Sequence, residues 1–354
     1  MSHAKLGVSL GLRGYLVKRV INTIILILFV IIINFVIFEL LPGPNGAIIN
    51  LTGRAHGTPQ AIRNLQESLG LCQSFVQTPD GGYRCIPPSI WSKFVIYFQN
   101  MLTFQFGQSQ QTGNPVLSDM MSTGRLWNTL ELLGTATAIS LIIGILLGVV
   151  VAARRGTLFD SSMVTVSLTT FSLPTFFMGI MLIFIFSLWL GWFPSGGVTP
   201  QTWVLGTPPL LTQIVTRLQY LFLPALTLTL FFYGGNLLLT RATMGEALTE
   251  DYITTARAKG LPERTVLFKH ALKNASLPIV TNAALAFGGI LGGAIITETV
   301  FVWDGLGLWL FRAITWHDFP VLQAMFYIIA LCVIGANLVS DIVYGMIDPR
   351  IKYE

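Results

Sequence analysis

Long apolar runs separated by short polar intervals dominate the chain. Windows of about 20 residues, the length a helix needs to cross a hydrocarbon core roughly 30 Å thick, predict six membrane spans. They lie near residues 18–41, 129–153, 162–190, 219–240, 277–298 and 322–346. The first, VINTIILILFVIIINFVIFELL, exceeds the apolar stretch of a cleaved leader and no small-residue cleavage site follows it, so it reads as a retained helix. It stops at LLPGPNG, whose two prolines no helix continues through. Further on, the apolar positions of SIWSKFVIYFQNML, Ser89 to Leu102, recur at helical spacing and predict an amphipathic helix at the outer surface. The predicted fold is an all-α polytopic membrane protein with six transmembrane helices, a cytoplasmic helix-turn-helix loop and a large external segment after helix 1. Its parts are a cytoplasmic segment 1–17, a first span 18–41, an extracytoplasmic segment 42–128, a transmembrane core 129–346 that includes the loop 250–273, and a cytoplasmic tail 347–354. The external segment reads either as a cap or as a docking site for another protein.

Small residues and prolines refine this picture. Gly144 and Gly148 in the second span, and Gly288, Gly289, Gly292 and Gly293 in the fifth, predict close helix approach. Pro174 in TTFSLPTFFMG predicts a kink in the third. Orientation follows from where basic residues sit in short loops. Lys5, Arg13, Lys18 and Arg19 precede the first span, Arg154 and Arg155 join the second to the third, and Arg350 and Lys352 follow the sixth. All fall on one side, which places both termini in the cytoplasm. The opposite short loops carry only Arg217 and Arg312.

Composition agrees: with 53% hydrophobic residues, 24 Phe and 8 Trp, the chain has too little polar surface for a soluble globule of 354 residues. The net charge of +5 needs no nucleic acid, because the cytoplasmic bias accounts for much of it. Cys72 and Cys85, in CQSFVQTPDGGYRC, fall in the external segment, where oxidation is permitted and a Pro-Asp-Gly-Gly turn can bring them together; they are either a disulfide or two unpaired thiols. Cys332 reads as a packing residue.

Several chemistries have no motif. There is no G-x-x-x-x-G-K-[ST] phosphate loop, no H-E-x-x-H, and His3, His56, His270 and His317 are scattered. Any ATP and Mg2+ would belong to a partner subunit, with no cofactor in this chain. Ionisable residues in the spans are few and near the ends, namely Glu39, Glu298 and Asp341. An ion-driven carrier usually buries several such groups deep in the bilayer, so the pattern favours a transporter powered from outside itself. A self-contained channel, a secondary carrier, or a membrane enzyme using Glu298, Asp304 or Asp318 are the competing classes.

The most charged interval is DYITTARAKGLPERTVLFKHALKNASLP, Asp251 to Pro278. It predicts one helix stopped by Gly260, then a second opened by Pro262 with Val266, Leu267 and Leu272 on one face. An ordinary basic loop explains the charge but not that ordered pattern. A helix-turn-helix tied at both ends to membrane spans suits a docking element for a soluble partner.

At these residues the chain resembles the permease subunits of binding-protein-dependent ABC importers of the dipeptide, oligopeptide and nickel group. DYITTARAKGL with HALKNASLPIVT resembles their EAA-type coupling loop, with Thr254 and Thr255 where the general motif has Glu and Ala. GYLVKRVINTI, SLPTFFMGIML with LGWFPSGG, GAIITETVFVWDGLGLWL and DIVYGMIDPRIKYE agree in order. The resemblance implies that Asp251, Thr255, Ala256, Arg257, Ala258, Lys259, Gly260 and Leu261 couple to an ATPase, with Ala256 to Lys259 entering its groove. It implies a second homologous permease, two ABC ATPases, an extracytoplasmic solute-binding protein and a prokaryotic cell membrane. Short peptides are the favoured cargo, oligosaccharides the alternative and nickel the least supported. Glu298, Phe301, Trp303 and Asp304, at the external end of the fifth span, are either a gate or binding-protein contact, or an interfacial aromatic belt.

Overall fold

The computed structural model describes residues 12–40, 74–77, 83–86, 88–206, 208–289 and 295–347. The chain forms two compact units, one drawn from Met1–Thr23, Arg125–Leu308 and Cys332–Glu354, the other from Ile24–Gly124 and Trp309–Leu331. Helix α1, Leu12–Phe35, ends in a π turn, Val36–Leu40. Strands β1, Ser74–Gln77, and β2, Tyr83–Ile86, pair antiparallel with Phe75 opposite Cys85. Then follow α2, Ile90–Leu102, α3, Val116–Ser122, α4, Arg125–Ala153, α5, Leu158–Ser172, and α6, Thr175–Leu182, which runs on as a π segment, Ile183–Trp189. The remainder comprises α7, Leu210–Ala247, α8, Asp251–Ala258, and the short α9, Glu263–Thr265, which passes through a π segment, Val266–Ala271, into α10, Leu272–Gly289. Helices α11, Ile295–Val300, α12, Leu306–Trp316, and α13, Phe319–Ile347, complete the described residues.

Among the described residues, four helical segments are long and apolar enough to cross a membrane: Val17–Leu40, Arg125–Ala153, Leu210–Ala247 and Phe319–Val339. The pair α5 and α6, with its π segment, makes a fifth if taken as one span bent by 100°. The predicted fifth span, 277–298, falls on α10, on residues 290–294 outside the described set, and on α11. The chain is thus a mostly helical, multi-pass membrane protein. Three expectations change. The fold is not strictly all-α, because residues flanking the Pro-Asp-Gly-Gly sequence form a two-stranded hairpin. Pro174 breaks the third span rather than kinking it: Leu173 and Pro174 are both extended (ψ 134°), as a residue before proline prefers, and Pro174 caps α6. Helix α7 has 38 residues, about 57 Å at 1.5 Å per residue, far beyond the predicted 219–240.

In the first unit, α4 crosses α7 at the two predicted glycines. A Cβ on Gly144 would lie 2.5 Å from Asn236 Cβ, and one on Gly148 2.5 Å from Thr240 Cβ. Gly234 of α7 approaches α5 in the same way: a Cβ there would lie 2.7 Å from the Ser167 carbonyl oxygen. Gly288, Gly289, Gly292 and Gly293 bear no comparison, since their surroundings lie outside the described set. Two apolar clusters fill the ends of the α4–α7 pair. Leu132, Leu133 and Ala136 meet Leu221, Ala225, Leu228 and Trp303 at one end. Val149 and Ala152 meet Met244 and Ala247 at the other. Arg19 of α1 and Asp341 of α13 form an ion pair at 2.7 Å.

In the second unit, α2 is the predicted amphipathic helix, with the Ser89 hydroxyl accepting the Ser92 N–H at 3.1 Å as its cap. Tyr97 and Met101 are buried, and Phe35 of α1 packs on the Phe94 and Tyr97 rings at 5.2 and 5.4 Å. Trp91 and Ile96 remain exposed.

Candidate functional site

The charged interval folds onto the ends of the long helices. Helix α8 buries Ile253 and Ala256, three positions apart and therefore on one face. Its end is closed by two backbone bonds, Gly260 N–H to the Arg257 carbonyl at 2.9 Å and Leu261 N–H to the Ala256 carbonyl at 3.4 Å, the Schellman pattern. Gly260 has φ +74° and open space around its missing Cβ, so conformation rather than crowding demands glycine there. Pro262, extended, starts α9 by accepting N–H bonds from Thr265 and Val266. Val266, Leu267 and Ala271 then turn inward, joining Ile253, Ala256 and Ala275 against Val149, Ala152, Met244 and Ala247. The element is bolted to the ends of α4 and α7 instead of projecting freely.

Of the residues the resemblance assigns to coupling, Asp251, Thr255, Arg257, Ala258, Lys259 and Gly260 are exposed and Leu261 is half-buried. Ala256 departs from its expected place: it is 5% exposed and faces the apolar cluster, because it shares a helix face with Ile253. Arg257 is engaged within the element, its guanidinium meeting Glu263 across the turn at 2.7 and 3.3 Å. That hydrogen-bonded partner holds the Glu263 carboxyl below its ordinary 4.5 and raises Arg257. The contribution of Glu263 is therefore complete above the unfolded carboxylate range and lost as pH falls through the lower folded value. Stability of the turn is expected to be flat from neutral pH down to about 4.5 and to fall below it. The Glu263→Gln variant should lose that acid dependence and cost under about 1 kcal/mol, since both side chains are solvated. Hydrogen exchange of the Gly260 and Leu261 amides, corrected for intrinsic rates, reports both.

The four predicted external residues come together, but as a buried network. Glu298, Phe301 and Trp303 are at most 1% exposed. One Glu298 oxygen accepts the Thr129 hydroxyl at 2.7 Å and the other the Leu308 N–H at 3.0 Å. A Cβ on Gly305 would lie 2.5 Å from that carboxylate, which explains the glycine-rich turn. Trp303 donates its indole N–H to the Asn128 carbonyl at 2.9 Å, and the Arg217 guanidinium sits 4.7 Å above its ring. Arg217 also reaches Glu131, at 2.9 Å from Nε, and the Asn128 side-chain oxygen at 2.6 Å. The Asp304 carbonyl accepts the Asn128 amide at 2.6 Å, and its carboxylate pairs with Arg125. Burial corrects both sequence readings of Phe301 and Trp303, as an interfacial belt and as an exposed contact. These residues join α4, α7 and α11. The exposed residue there is Val302, with φ +49°, a conformation a β-branched side chain rarely adopts. Sequence reasoning missed Asn128, Thr129 and Glu131. The available signal was the opposite charges of Glu131 and Arg217 near the ends of the second and fourth predicted spans.

The carboxylates considered for catalysis are all engaged. Glu298 and Asp304 belong to this network, and Asp318 caps α13 through the Val321 N–H while accepting the Ser109 hydroxyl at 2.6 Å. Cys332 is a free, half-buried thiol of α13. Cys72 and the Cys85 side chain lie outside the described residues.

Comparison with known proteins fits this architecture. The family described as binding-protein-dependent transport system inner membrane component matches residues 144–353. The dipeptide transport system permease protein DppB of Alkalihalophilus pseudofirmus is 33% identical over 96% of this chain and 99% of that protein. The di/tripeptide permease protein DppB of Pseudomonas aeruginosa is 34% identical over 92% and 94%. The oligopeptide permease protein AppB of Bacillus subtilis is 34% identical over 97% and 100%. Among solved structures, the inward-facing MetNI methionine ABC transporter aligns with a TM-score of 0.50 at 16% identity, covering 66% of this chain and 98% of that one, a likeness of fold. A family match over more than half the chain, full-length relatives and a bundle with a membrane-end helical turn converge: the chain belongs to the inner membrane components of binding-protein-dependent transport systems.

Proposed function

We propose that this chain is one of two pore-forming permeases in an ATP-driven importer of short peptides, which an extracytoplasmic solute-binding protein delivers. Two partner ATPases hold the ATP and Mg2+. In this reading the chain spans a prokaryotic cell membrane six times, with both termini and the α8–α9 turn in the cytoplasm. Peptide cargo is supported by the full-length relatives, which are named for dipeptides, di/tripeptides and oligopeptides.

The observation that carries the reading is the attachment of α8. Its inward face shares one apolar cluster with the ends of α4 and α7, while Thr254, Thr255, Ala258 and Lys259 face outward. Force applied to that outer face reaches both long helices through Ile253 and Ala256, because close-packed cores transmit displacement. At the far end the same helices are joined by Arg217, Glu131 and Trp303. A rigid pair held at both ends moves as a lever between an ATPase and an external gate.

The test is reconstitution of the four-subunit complex with its binding protein. Ala258→Glu puts a charged side chain on the exposed face without touching the apolar cluster. Peptide uptake and transport-linked ATP hydrolysis should fall at least ~10-fold, equivalent to about 1.4 kcal/mol of coupling, with assembly of the permease pair retained. Wild-type uptake in that variant would remove α8 from the coupling path. Parallel uptake of a tripeptide and a trisaccharide by the unaltered complex decides the cargo class.

A further inference from the structure

Polar side chains inside the predicted spans are satisfied in different ways. Most hydroxyls return their proton to their own helix: Ser140 to Thr137, Ser167 to Met163, Thr227 to Leu223, and Thr281 to Leu277. Such groups are satisfied locally and ask nothing of a neighbour. Two asparagines behave differently. The Asn282 amide of α10 donates to the Asn236 carbonyl of α7 at 3.0 Å. Asn236 rises directly over Gly144, where a Cβ would come within 2.5 Å of its own, so α4 backs it and directs it toward α10.

An asparagine offers two N–H donors and a carbonyl with two lone pairs. The pair spends one donor and one acceptor, and among the described residues neither side chain makes another hydrogen bond. Whichever way the two amides are turned, spare donor and acceptor capacity is left side by side. Asn236 is 8% exposed and Asn282 only half-buried. A carboxamide facing hydrocarbon is heavily penalised, so the open side of this pair faces water or protein and not lipid. One turn earlier on α7, the Tyr233 hydroxyl meets Thr170 of α5 at 3.3 Å, extending the polar line across the same bundle.

Resting on the reading of this chain as a peptide permease, we propose that Asn236 and Asn282 form a backbone-reading element of the translocation path. Their mutual amide bond has the chemistry of a peptide group. When α7 and α10 part, the donor and acceptor they release can take up a C=O and an N–H of the cargo, which every peptide presents whatever its side chains. The closed bond occupies one donor and one acceptor between cargoes, and opening exchanges that one bond for two to the cargo backbone. A site of this kind passes peptides of varied sequence without offering a charge to hold them.

The experiment uses the complete reconstituted importer and the double variant Asn236→Leu, Asn282→Leu, which replaces both partners by apolar groups and leaves no amide unpaired. With trialanine and saturating binding protein, thermal stability and ATP hydrolysis should stay near wild type. Peptide moved per ATP hydrolysed should fall roughly 10- to 30-fold, the loss of two net hydrogen bonds. Unchanged peptide per ATP would overturn the proposal and leave the pair as helix glue. If the double variant does not assemble, Asn282→Ala decides. An assembled complex with several-fold lower peptide per ATP supports the assignment, because Asn236 rehydrates in an aqueous path. Loss of assembly in both overturns it. Absence of any peptide uptake by the wild-type importer would sink the function reading beneath it, an outcome distinct from a transporting wild type with an indifferent double variant.

Discussion

Replacing Gly148 by valine is expected to prevent the α4–α7 pair from forming and to remove most folded protein. A Cβ at that position would lie 2.5 Å from Thr240 Cβ and 2.9 Å from the Leu237 carbonyl oxygen. The second of these atoms is backbone and cannot rotate aside. Overpacking typically costs about 1–3 kcal/mol, and a rigid backbone neighbour puts Gly148 at or above the top of that range. The pair has no nearby slack, since Gly144 one turn earlier is equally pressed against Asn236 and the Tyr233 carbonyl. Gly134 on the same helix supplies the control. A Cβ there meets nothing within 4 Å, so Gly134→Ala should be neutral or stabilising by up to about 1 kcal/mol through helix propensity. Yield after detergent extraction and the thermal unfolding midpoint read both variants. A Gly148→Val protein with wild-type yield and midpoint would mean that the close crossing does not govern stability.

Gly144 and Gly148 were legible because spacing by four puts small residues on one helix face, and only a close neighbour gives that pattern a use. The turn at Gly260 was equally legible, since a glycine with a proline two residues on fixes a helix stop through local geometry alone. What the sequence concealed depends on contacts between distant residues. Helix α7 looked finished at residue 240 because Arg241 follows; its charge is neutralised by Asp160, 81 positions earlier, and the helix runs on to Ala247. Phe301 and Trp303 looked like surface aromatics until Arg217, Asn128 and Gly305 closed around them. Pro174 signalled a bend, but not its size, because local chemistry sets the break while packing on both sides sets the angle. Ala256 was misplaced for a simpler reason: on a short helix the inward face follows whatever lies beneath, here Met244 and Val149.

Loss of Arg241 is expected to be the most damaging single change at the end of the bundle that carries α8. Its guanidinium grips both oxygens of Asp160, at 2.6 and 2.8 Å, and the Asp160 side chain is 5% exposed. The same carboxylate accepts the Gly156 N–H at 2.9 Å, so it also fixes the turn between α4 and α5. Arg241→Leu leaves that charge buried without its partner, which costs about 3–5 kcal/mol. Adding Asp160→Asn removes the stranded charge while keeping an oxygen for Gly156, and the double variant should recover most of the loss. Uptake should not recover with it. Helix α7 passes from the Arg217 clamp through Arg241 to Ala247 and, after three linking residues, into α8. On the proposed coupling through α8, Arg241 ties α7 to α5 close to the point where force would enter, and a neutral pair holds that joint less tightly than a bidentate ion pair. Unfolding midpoints and peptide uptake measured on both variants separate the two roles. If Arg241→Leu unfolded like the wild type, the pair would be incidental. If the stable double variant transported normally, the joint would not belong to the lever.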